Sequence, residues 1–405
     1  MTPSIPLVLA VNAGSSSLKA ALLQGEDHVS SFLAERLGTD NAVIHCSYKQ
    51  IQENLEIPNC DHDKALEQIL KFLKEHGLLD NLVATGHRVV HGGALFSDAT
   101  LITDDVLQQI KTVSHLAPLH NPHNVKGIQS VQKVLPHLPA VAVFDTAFHA
   151  TLPPHASTYP LPQSYRDMGI RKYGFHGTSV RYVSQKANEI LQGLSPDNKR
   201  SQFNLVVCHL GNGASITAVN QKGESVETSM GFSPLAGLMM GTRSGSIDPA
   251  IVSFAMHTMD KNVDEVLNDL NKESGLKAMT QDHDFDMRSL LKRAERDPDA
   301  QLAVDMFVYH VVQYIAFSLV ALPGPADALV FTAGIGEHSA QIRQKCIQQL
   351  QKTILPTLDL DVARNDDDGE LSNGVVTKEG CWPVCLDIAT DEEVMIAKDC
   401  LRLVQ

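Results

Sequence analysis

Short apolar runs, separated by small polar residues, recur at two places in the chain. Residues 7–24 contain an apolar run, a turn rich in serine and a second apolar run, and residues 204–219 repeat this order. Both patterns predict a strand, a tight turn and a second strand. Aligning Gly14 with Gly211 superposes the two hairpins. The repeat predicts a duplicated domain with the phosphates of a ligand held between the two turns, and chance similarity of two hairpins is the alternative.

The remaining pattern alternates helix-forming and strand-forming stretches. We expect an amphipathic helix at 62–76, strands at 82–90 and 140–144, mainly helical chain from about 250 to 322, and a strand at 327–332 followed by a Gly-x-Gly turn and a helix. Two prolines within 115–124 predict an irregular loop lining a cleft, and the proline-rich segment 152–162 is interpreted as the domain connection.

Local signals predict how two helices begin. Thr178 or Ser179 is expected to cap a helix, and Thr390 with Glu393 matches a capping box, which leaves Glu392 to face a cation. The acidic stretch 364–370 is expected to be a solvated turn.

Composition narrows the class of protein. A length of 405 residues predicts at least two domains, and the net charge of −14 argues against nucleic acid or an anionic membrane as the main partner. The seven cysteines are scattered, so we expect reduced thiols, a cytoplasmic location and no zinc site. No apolar run is long enough to suggest a membrane span.

Three groups of residues carry candidate chemistry for an anionic ligand. The turn around Gly14 offers Ser15 and Ser17 as donors and Lys19 as a charge, although a plain hairpin turn explains them too. Arg88 lies on a strand that looks buried, where it needs either an anionic ligand or a core carboxylate. Arg243 lies in a loop of glycine, serine and methionine, where it either binds an anion or braces the loop.

Nine segments, in register over nearly the whole chain, closely resemble the acetate kinase family, which belongs to the superfamily of actin, sugar kinases and heat-shock ATPases. They are Val-Asn-Ala-Gly-Ser-Ser-Ser-Leu-Lys (11–19), Gly-His-Arg-Val-Val-His-Gly-Gly (86–93), Leu-Ala-Pro-Leu-His-Asn-Pro (116–122), Phe-Asp-Thr-Ala-Phe-His (144–149), Tyr-Gly-Phe-His-Gly-Thr-Ser (173–179), His-Leu-Gly-Asn-Gly (209–213), Met-Gly-Thr-Arg-Ser-Gly (240–245), Gly-Ile-Gly-Glu (334–337) and Thr-Asp-Glu-Glu (390–393).

The resemblance implies an α/β fold of two duplicated actin-like (ribonuclease H-like) ATPase domains with a cleft between them. The N-terminal domain would span 1–150 and be completed by a C-terminal helix at 388–405, and the nucleotide-binding domain would span 151–387. The family is also homodimeric, and a homodimer is therefore expected.

Roles follow from the matching motifs. Arg88 would hold the carboxylate, Asp145 would be the catalytic acid, and His176 and Arg243 would stabilise the moving phosphoryl group. The residues expected to contact ATP or ADP, besides the Ser15–Lys19 turn, are His209, Leu210, Gly211, Asn212, Gly213, Asp286, Met287, Arg288, Gly334, Ile335, Gly336, Glu337 and His338. Asn12 and Glu392 would help to place Mg²⁺, with Mn²⁺ as an alternative ion.

The implied reaction is reversible transfer of a phosphoryl group from ATP to acetate. Because acetate is already ionised, no general base is needed, and we expect Asp145 to position Mg²⁺ or a basic side chain. Direct in-line transfer is the simpler hypothesis, and a phosphorylated carboxylate intermediate stays open. A nucleotide-gated binding protein is the alternative from another class.

Substrate size would be set by four residues that match the family: Val90, Leu119, Phe175 and Pro234. Related propionate kinases tend to carry a smaller residue at the position of Val90, so valine favours acetate, and a propionate or other short-chain carboxylate kinase is the alternative. Two departures from the family are Ser246, where an acid is usual, and His338, where asparagine is usual.

Overall fold

The computed structural model describes residues 5–194 and 200–404. Residues 1–4, 195–199 and 405, which the predicted domains include, lie outside the described residues. The chain forms two compact units, Met1–Phe148 with Asp391–Gln405, and His149–Thr390. The predicted division was 1–150 with 388–405, and 151–387. The proline-rich segment 152–162, predicted to connect the domains, lies inside the second unit.

The first unit is built on an eight-stranded mixed sheet with the order β5-β4-β3-β2-β1-β6-β8-β7. Its strands are β1 (Leu7–Ala13), β2 (Leu18–Gln24), β3 (Asp27–Glu35), β4 (Val43–Tyr48), β5 (Ile51–Glu56), β6 (Leu82–Val89), β7 (Thr100–Leu101) and β8 (Ala140–Phe144). β1 to β5 form an antiparallel meander, whereas β6 and β8 run parallel to β1. β1 and β8 are almost entirely buried, and their residues are apolar apart from Asn12 near the end of β1.

Three helices follow the strands of this unit: α1 (His62–Glu75), α2 (Asp104–Thr112) and α3 (Asn121–Val134). α1 buries the apolar face that the sequence predicted, including Ala65, Ile69 and Leu73. The prediction of an irregular loop at 115–124 is wrong in its second half, because α3 already begins at Asn121. Pro122 lies in the first turn of α3, where a backbone N–H has no helical partner to lose.

The second unit is built on a five-stranded sheet with the order β11-β10-β9-β12-β13. Its strands are β9 (Leu205–Leu210), β10 (Ala214–Val219), β11 (Ser225–Thr228), β12 (Ala328–Thr332) and β13 (Val384–Asp387). Three antiparallel strands again stand beside two parallel ones. The order β3-β2-β1-β6-β8 in the first unit has the same directions, so the duplication inferred from the two hairpins is confirmed in the topology.

The helices of the second unit are α4 (Pro154–Ser157), α5 (Gln163–Asp167), α6 (Gly177–Leu194), α7 (Ala250–Met259), α8 (Val263–Lys272), α9 (Gly275–Ala278), α10 (Met287–Arg293), α11 (Pro298–Ala321), α12 (Ala333–His338), α13 (Ala340–Thr353) and α14 (Val362–Asp366). Short 3₁₀ turns occur at Val113–Leu116, Ala147–Thr151 and Glu370–Ser372. The stretch 364–370, predicted as a turn, begins within α14. The Gly-x-Gly segment predicted as a turn after β12 is helical, in α12.

The last helix, α15 (Glu392–Val404), returns to the first unit and packs closely on β6. A methyl group placed on Gly86 of β6 would lie 2.2 Å from Ile396 Cγ2 and 2.7 Å from Cys400 Sγ. Only glycine allows this approach, and the strand that carries Arg88 is thereby held against the helix that carries Glu392.

Both predicted helix caps are wrong. α6 begins at Gly177, so Thr178 and Ser179 lie inside its first turn rather than at its cap. At α15 the carboxylate of Asp391 accepts the hydrogen bond from Val394 N, so the cap lies one residue after Thr390. Ser179 and Thr390 are residue types typical of a cap, but their hydroxyls form a tertiary hydrogen bond with each other instead.

One helix among the described residues, α11, is long and apolar enough to cross a membrane by length and composition alone. The sequence analysis considered uninterrupted apolar runs, whereas α11 carries polar residues such as Asp305 and His310 among its apolar ones. Ala303, Phe307, Val311 and Ile315 of α11 are buried inside the second unit, and a core helix of this kind passes the same test.

Candidate functional site

Arg88 and Asp145 form a bidentate pair in the first unit. β6 and β8 run parallel with Arg88 beside Val143, so the end of β8 brings Asp145 alongside the guanidinium. Arg88 Nε donates to Asp145 Oδ1 at 2.9 Å, and Nη2 donates to Oδ2 at 2.7 Å. Among residues 5–194 and 200–404, no protein group accepts a hydrogen bond from Nη1 of Arg88. Two of the five N–H donors are thus engaged, and the outer edge of the guanidinium remains open to a further anion.

Glu392 is the second carboxylate near this arginine. Its Oε2 lies 3.5 Å from Arg88 Nε, as expected for a glutamate that faces a cation. Burial disfavours the charged Arg88, but Asp145 and Glu392 outweigh it and raise the pKa of the guanidinium. Burial also raises the pKa of Glu392, because the attraction of Arg88 is offset by the negative charge of Asp145. Arg88 stays charged, and Glu392 is the carboxylate that protonates more readily than usual.

Lys19 does not stand free in the hairpin turn. Its Nζ lies 2.5 Å from Glu393 Oε1, and the predicted phosphate contact competes with this ion pair. The turn itself is tight, since Gly14 N donates to Ser17 O. Ser15 is exposed and Ser17 is partly buried, and Asn12 lies near the end of β1 opposite Lys19.

Two asparagines that the sequence analysis passed over hold the backbone after Arg88. Asn124 Oδ1 accepts from Val90 N at 3.1 Å, and Asn124 Nδ2 donates to Ala13 O at 2.9 Å. Asn121 exchanges two hydrogen bonds with the backbone of His91. The expectation of an irregular loop at 115–124 left these buried side chains unconsidered. The available signal was a pair of asparagines beside an apolar helix face, where a buried amide needs a partner.

In the second unit, His176 and His209 form a stacked pair. His176 adopts a left-handed φ of 59° just before α6. The two ring centroids are 4.1 Å apart with an interplanar angle of 24°. Nδ1 of His176 lies 3.0 Å from Ser215 Oγ, and Nδ1 of His209 lies 2.8 Å from Ser179 Oγ. Each ring is therefore oriented by a serine hydroxyl that the sequence analysis did not propose for this role.

Arg243 approaches the same place as His176. A methyl group on Gly213 would lie 3.3 Å from Arg243 Nη1 and 3.4 Å from His176 Nε2. Arg243 Nη1 donates to the carbonyl of Pro234 at 3.1 Å, and no carboxylate of the described residues pairs with the guanidinium. Burial without a counter-ion lowers the pKa of Arg243. A cation in this setting gains most from an anionic ligand.

The segment Gly334–His338 is anchored from behind by Arg343, a fully buried arginine of α13. Arg343 Nη1 donates to Gly336 O at 2.8 Å and to Glu337 O at 2.7 Å, and Nε donates to Asn365 Oδ1 at 2.9 Å. Nη2 donates to Asn365 O at 2.7 Å and to Asp368 Oδ1 at 2.6 Å. All five donors are used, so this arginine holds structure together.

Asp387 completes this anchor without receiving a hydrogen bond from it. Asp387 Oδ2 lies 2.8 Å from Arg343 Nη1, yet both hydrogens of that nitrogen are directed at carbonyl oxygens. Burial raises the pKa of Asp387 to about 8; Arg343 opposes the shift, whereas Asp368 and Glu337 add to it. Arg343 therefore attracts the ionised form of Asp387 without donating a hydrogen bond to it, which explains why a buried carboxyl beside an arginine stays hard to ionise.

Other predicted nucleotide residues have local partners. Glu337 Oε1 accepts from Ala333 N at 2.7 Å and from Thr390 N at 3.0 Å, so Glu337 stabilises the backbone. Asp286 caps α10 and pairs with the exposed Arg288, whose hydrogen bonds lower the pKa of Asp286 to about 2. Met287 is buried.

The predicted pocket residues differ in exposure: Phe175 is buried, Val90 and Pro234 are partly buried, and Leu119 is 55% exposed. Of the two departures, Ser246 closes its own loop by accepting from Gly237 N at 3.0 Å, and His338 is exposed at the end of α12.

The oxygen donors near Arg88 suit a magnesium ion. Asn12, Asp145 and Glu392 offer amide and carboxylate oxygens, the ligands that Mg²⁺ prefers. Within the described ranges, no three His, Cys, Asp or Glu residues form a cluster that would hold a metal alone. This donor set fits an ion bound through one or two carboxylates and the phosphates of a nucleotide.

A model of the acetokinase family matches residues 7–398. The chain belongs to this family. It is 44% identical over 402 residues to an acetate kinase of Oceanobacillus iheyensis and 45% identical over 405 residues to an acetate kinase of Bacillus cereus strain ZK / E33L, with 98% of each chain covered in both comparisons.

Solved structures agree with the family assignment. A propionate kinase from Francisella tularensis superposes with a TM-score of 0.90 at 39% identity, covering 98% of this chain and 99% of its own. The acetate kinase of Porphyromonas gingivalis superposes with a TM-score of 0.88 at 35% identity, covering 99% and 100%. The predicted fold class, an α/β acetokinase fold with two actin-like domains, is confirmed by these neighbours and by the two related sheets.

Proposed function

We propose that this acetokinase transfers the γ-phosphoryl group of ATP to acetate in a reversible, magnesium-dependent reaction that yields acetyl phosphate and ADP. The relatives named acetate kinase, aligned over almost the whole chain, support this activity. The observation that carries the proposal is the open edge of Arg88, a guanidinium held rigid by Asp145 with Nη1 uncommitted among the described residues.

The open edge of Arg88 suits a carboxylate. A guanidinium binds a carboxylate through two parallel N–H···O bonds, and fixing one edge on Asp145 lowers the entropy lost when substrate binds at another. Asp145 therefore acts as a positioning residue for the cation, one of the two roles expected for it. Acetate needs no proton removed before it attacks phosphorus, so no general base is required in this scheme.

The set formed by Arg243, His176 and the 211–213 turn suits a phosphoryl group. Arg243 is buried and has no carboxylate partner in the described part of the chain, and His176 Nε2 points to the same small space beside Gly213. Phosphoryl transfer spreads negative charge over the equatorial oxygens, and fixed donors in a poorly solvated site stabilise that charge. Gly213 keeps the space open, because any side chain there would contact both groups. Direct in-line transfer is the mechanism we propose.

Asn12 and Glu392 would help to hold Mg²⁺ with the nucleotide phosphates. When bound, the ion supplies positive charge that reduces the repulsion between polyphosphate and carboxylate. Glu392 also contacts Arg88, so we propose that it links the metal and the carboxylate clamp.

ADP formation from Mg-ATP with acetate, with propionate and with no acid tests the function. We expect acid-dependent turnover that is lost in Arg88→Ala and kept in Arg402→Ala, a control that removes another arginine paired with an aspartate in the same unit. Circular dichroism verifies folding of each variant. ATP consumption that is indifferent to added acid in the wild type would contradict a carboxylate kinase and favour a nucleotide-gated binding protein.

A propionate kinase is the second candidate, favoured by the similarity to the Francisella tularensis structure. Val90 is partly buried two residues after Arg88, with its backbone N–H fixed by Asn124. We expect Val90→Ala to raise kcat/KM for propionate relative to acetate by about tenfold, within the range of about 1–3 kcal/mol that one methylene supplies. An unchanged ratio would show that Val90 does not set substrate size.

We also propose a homodimer located in the cytoplasm. α7 is an apolar helix with no buried residue, and Ile251, Phe254 and Met259 on it are exposed. α11 adds an exposed stripe that includes Phe317 and Val320. Apolar surface of this extent supports contact with a second copy. Sedimentation of Phe254→Glu beside the wild type tests the dimer, and equal mass for both would contradict this surface.

The cysteines support the proposed location in the cytoplasm. All seven are free thiols, which is typical of a reducing compartment.

A further inference from the structure

Ser215 is a buried serine whose hydroxyl has a single described partner. It lies on β10 with no exposed surface, and its Oγ is 3.0 Å from His176 Nδ1. Among residues 5–194 and 200–404, this is the one hydrogen bond formed by the Ser215 hydroxyl. The neighbouring hydroxyl on the same face of β10, Thr217, pairs with Thr228 instead.

The burial of Ser215 decides which atom carries the proton in this hydrogen bond. If Nδ1 of His176 carried a hydrogen, it would donate to Ser215 Oγ, and the hydroxyl hydrogen of this fully buried serine would lack an acceptor among the described residues. A buried donor without an acceptor is costly. When Ser215 donates to Nδ1, both groups are satisfied and the ring hydrogen resides on Nε2.

Nε2 is the nitrogen that faces the place where Arg243 also points. A methyl group on Gly213 would lie within 3.4 Å of His176 Nε2 and 3.3 Å of Arg243 Nη1. The left-handed backbone at His176 and the stacking on His209 fix the plane of the ring.

We propose that Ser215 is a positioning residue that holds His176 as a neutral imidazole with its hydrogen on Nε2, directed at the phosphoryl group. The role in catalysis rests on the proposed function. His176 then stabilises developing negative charge by donating a hydrogen bond, without transferring a proton, and Arg243 supplies the full positive charge beside it.

The tautomer is measured directly on the resting wild-type protein. Histidine-selective ¹⁵N labelling with long-range ¹H–¹⁵N correlation distinguishes an acceptor nitrogen from one that carries hydrogen, and His176→Asn assigns the ring signals. We expect Nδ1 of His176 to appear as an acceptor and Nε2 as the protonated nitrogen. A hydrogen on Nδ1, in a neutral or a charged ring, would overturn the proposal whether or not the protein is a kinase.

Kinetics of Ser215→Ala then test the consequence. We expect kcat to fall about tenfold with little change in KM for ATP, because one hydrogen bond that orients the donor is lost. Thr217→Val removes a buried hydroxyl from the same strand face and is expected to keep both kcat and the His176 spectrum. Equal losses in the two variants, with an unchanged His176 spectrum in Ser215→Ala, would contradict positioning through His176.

The proposed kinase activity and the proposed role of Ser215 can be refuted independently of each other. A wild-type protein without acid-dependent turnover would refute the proposed kinase activity, whereas the ¹⁵N spectrum would still decide how His176 is protonated. Acid-dependent turnover with the wrong tautomer would leave the kinase in place and refute the role of Ser215.

Discussion

Arg88 and Arg343 are both arginines placed between two carboxylates, and they differ in how many of their donors the protein uses. Arg343 is completely buried and spends all five N–H groups on Gly336, Glu337, Asn365 and Asp368. Arg88 is partly exposed and uses Nε and Nη2 on Asp145. A buried arginine that is fully satisfied stabilises its surroundings, whereas one held on a single edge is prepared for a ligand.

Residue type alone does not show whether a buried arginine stabilises the fold or binds a ligand, and the comparison distinguishes these two explanations. Charge on a buried element requires a partner, and both arginines have one. Hydrogen-bond saturation is what distinguishes a structural cation from a binding cation. By this criterion Arg243, with one carbonyl and no carboxylate partner among the described residues, belongs with Arg88.

Removing Arg343 should have the largest effect on stability. Arg343→Ala leaves three backbone carbonyls without donors and Asp387 without its neighbouring cation, so we expect the free energy of unfolding to fall by about 3–5 kcal/mol. Urea unfolding followed by fluorescence of Trp382, the sole tryptophan of the chain and a member of the same unit, measures the loss.

Lys378→Ala is the control for this measurement, because its ion pair with Asp359 is exposed and lies in the same unit. We expect its urea midpoint to match the wild type. An Arg343 variant that unfolds at the wild-type midpoint would show that a saturated arginine is not structural, and the contrast with Arg88 would be lost.

Replacing Arg88 by lysine should affect activity more than folding. Lysine keeps the positive charge but cannot bind two carboxylates through a planar fork, so we expect kcat/KM for acetate to fall about 100-fold, roughly 2.7 kcal/mol. Steady-state kinetics over a range of acetate concentrations measures the loss. Arg402→Lys should leave kcat/KM unchanged. Full activity in Arg88→Lys would mean that charge, and not the open edge of the guanidinium, binds the substrate.

Asp387 makes a smaller contribution, which changes the free energy of unfolding with pH. Its pKa is about 8 in the folded chain, against an ordinary value of 3.8. Between these values the folded chain keeps a proton that the unfolded chain has lost, so this group makes stability fall as pH rises and has no further effect well above pH 8. The slope is at most about 1.4 kcal/mol per pH unit.

Asp387→Asn should remove that slope, since asparagine does not titrate and its amide oxygen still faces Arg343. Urea unfolding of both proteins at pH 6, 7 and 8 isolates the contribution as the difference between them. The free energy of unfolding of the variant should increase relative to that of the wild type as pH rises. A constant difference across these pH values would place the proton of Asp387 elsewhere and would weaken the view that it receives charge but no hydrogen bond from Arg343.

Much of the fold was predictable because it depends on local pattern. The two hairpins, the amphipathic α1 and the strand that ends at Asp145 all follow from the spacing of apolar residues. Predictions that concerned where a side-chain hydroxyl or carboxylate would bond were less successful. Ser179 and Thr390 are residue types typical of caps, but their hydroxyls bond to each other, and Ser179 also bonds to His209.

By itself, the sequence determined the strand and helix periods, the duplication of the two sheets and the family, and with the family the set of candidate residues. The tertiary structure alone decided which cations are saturated, which serines orient His176 and His209, and that Arg343 supports the segment Gly334–His338. The reason is physical: apolar periodicity is written along the chain, whereas hydrogen-bond satisfaction depends on partners far away in sequence, as with Arg88 and Asp145 or Ser215 and His176.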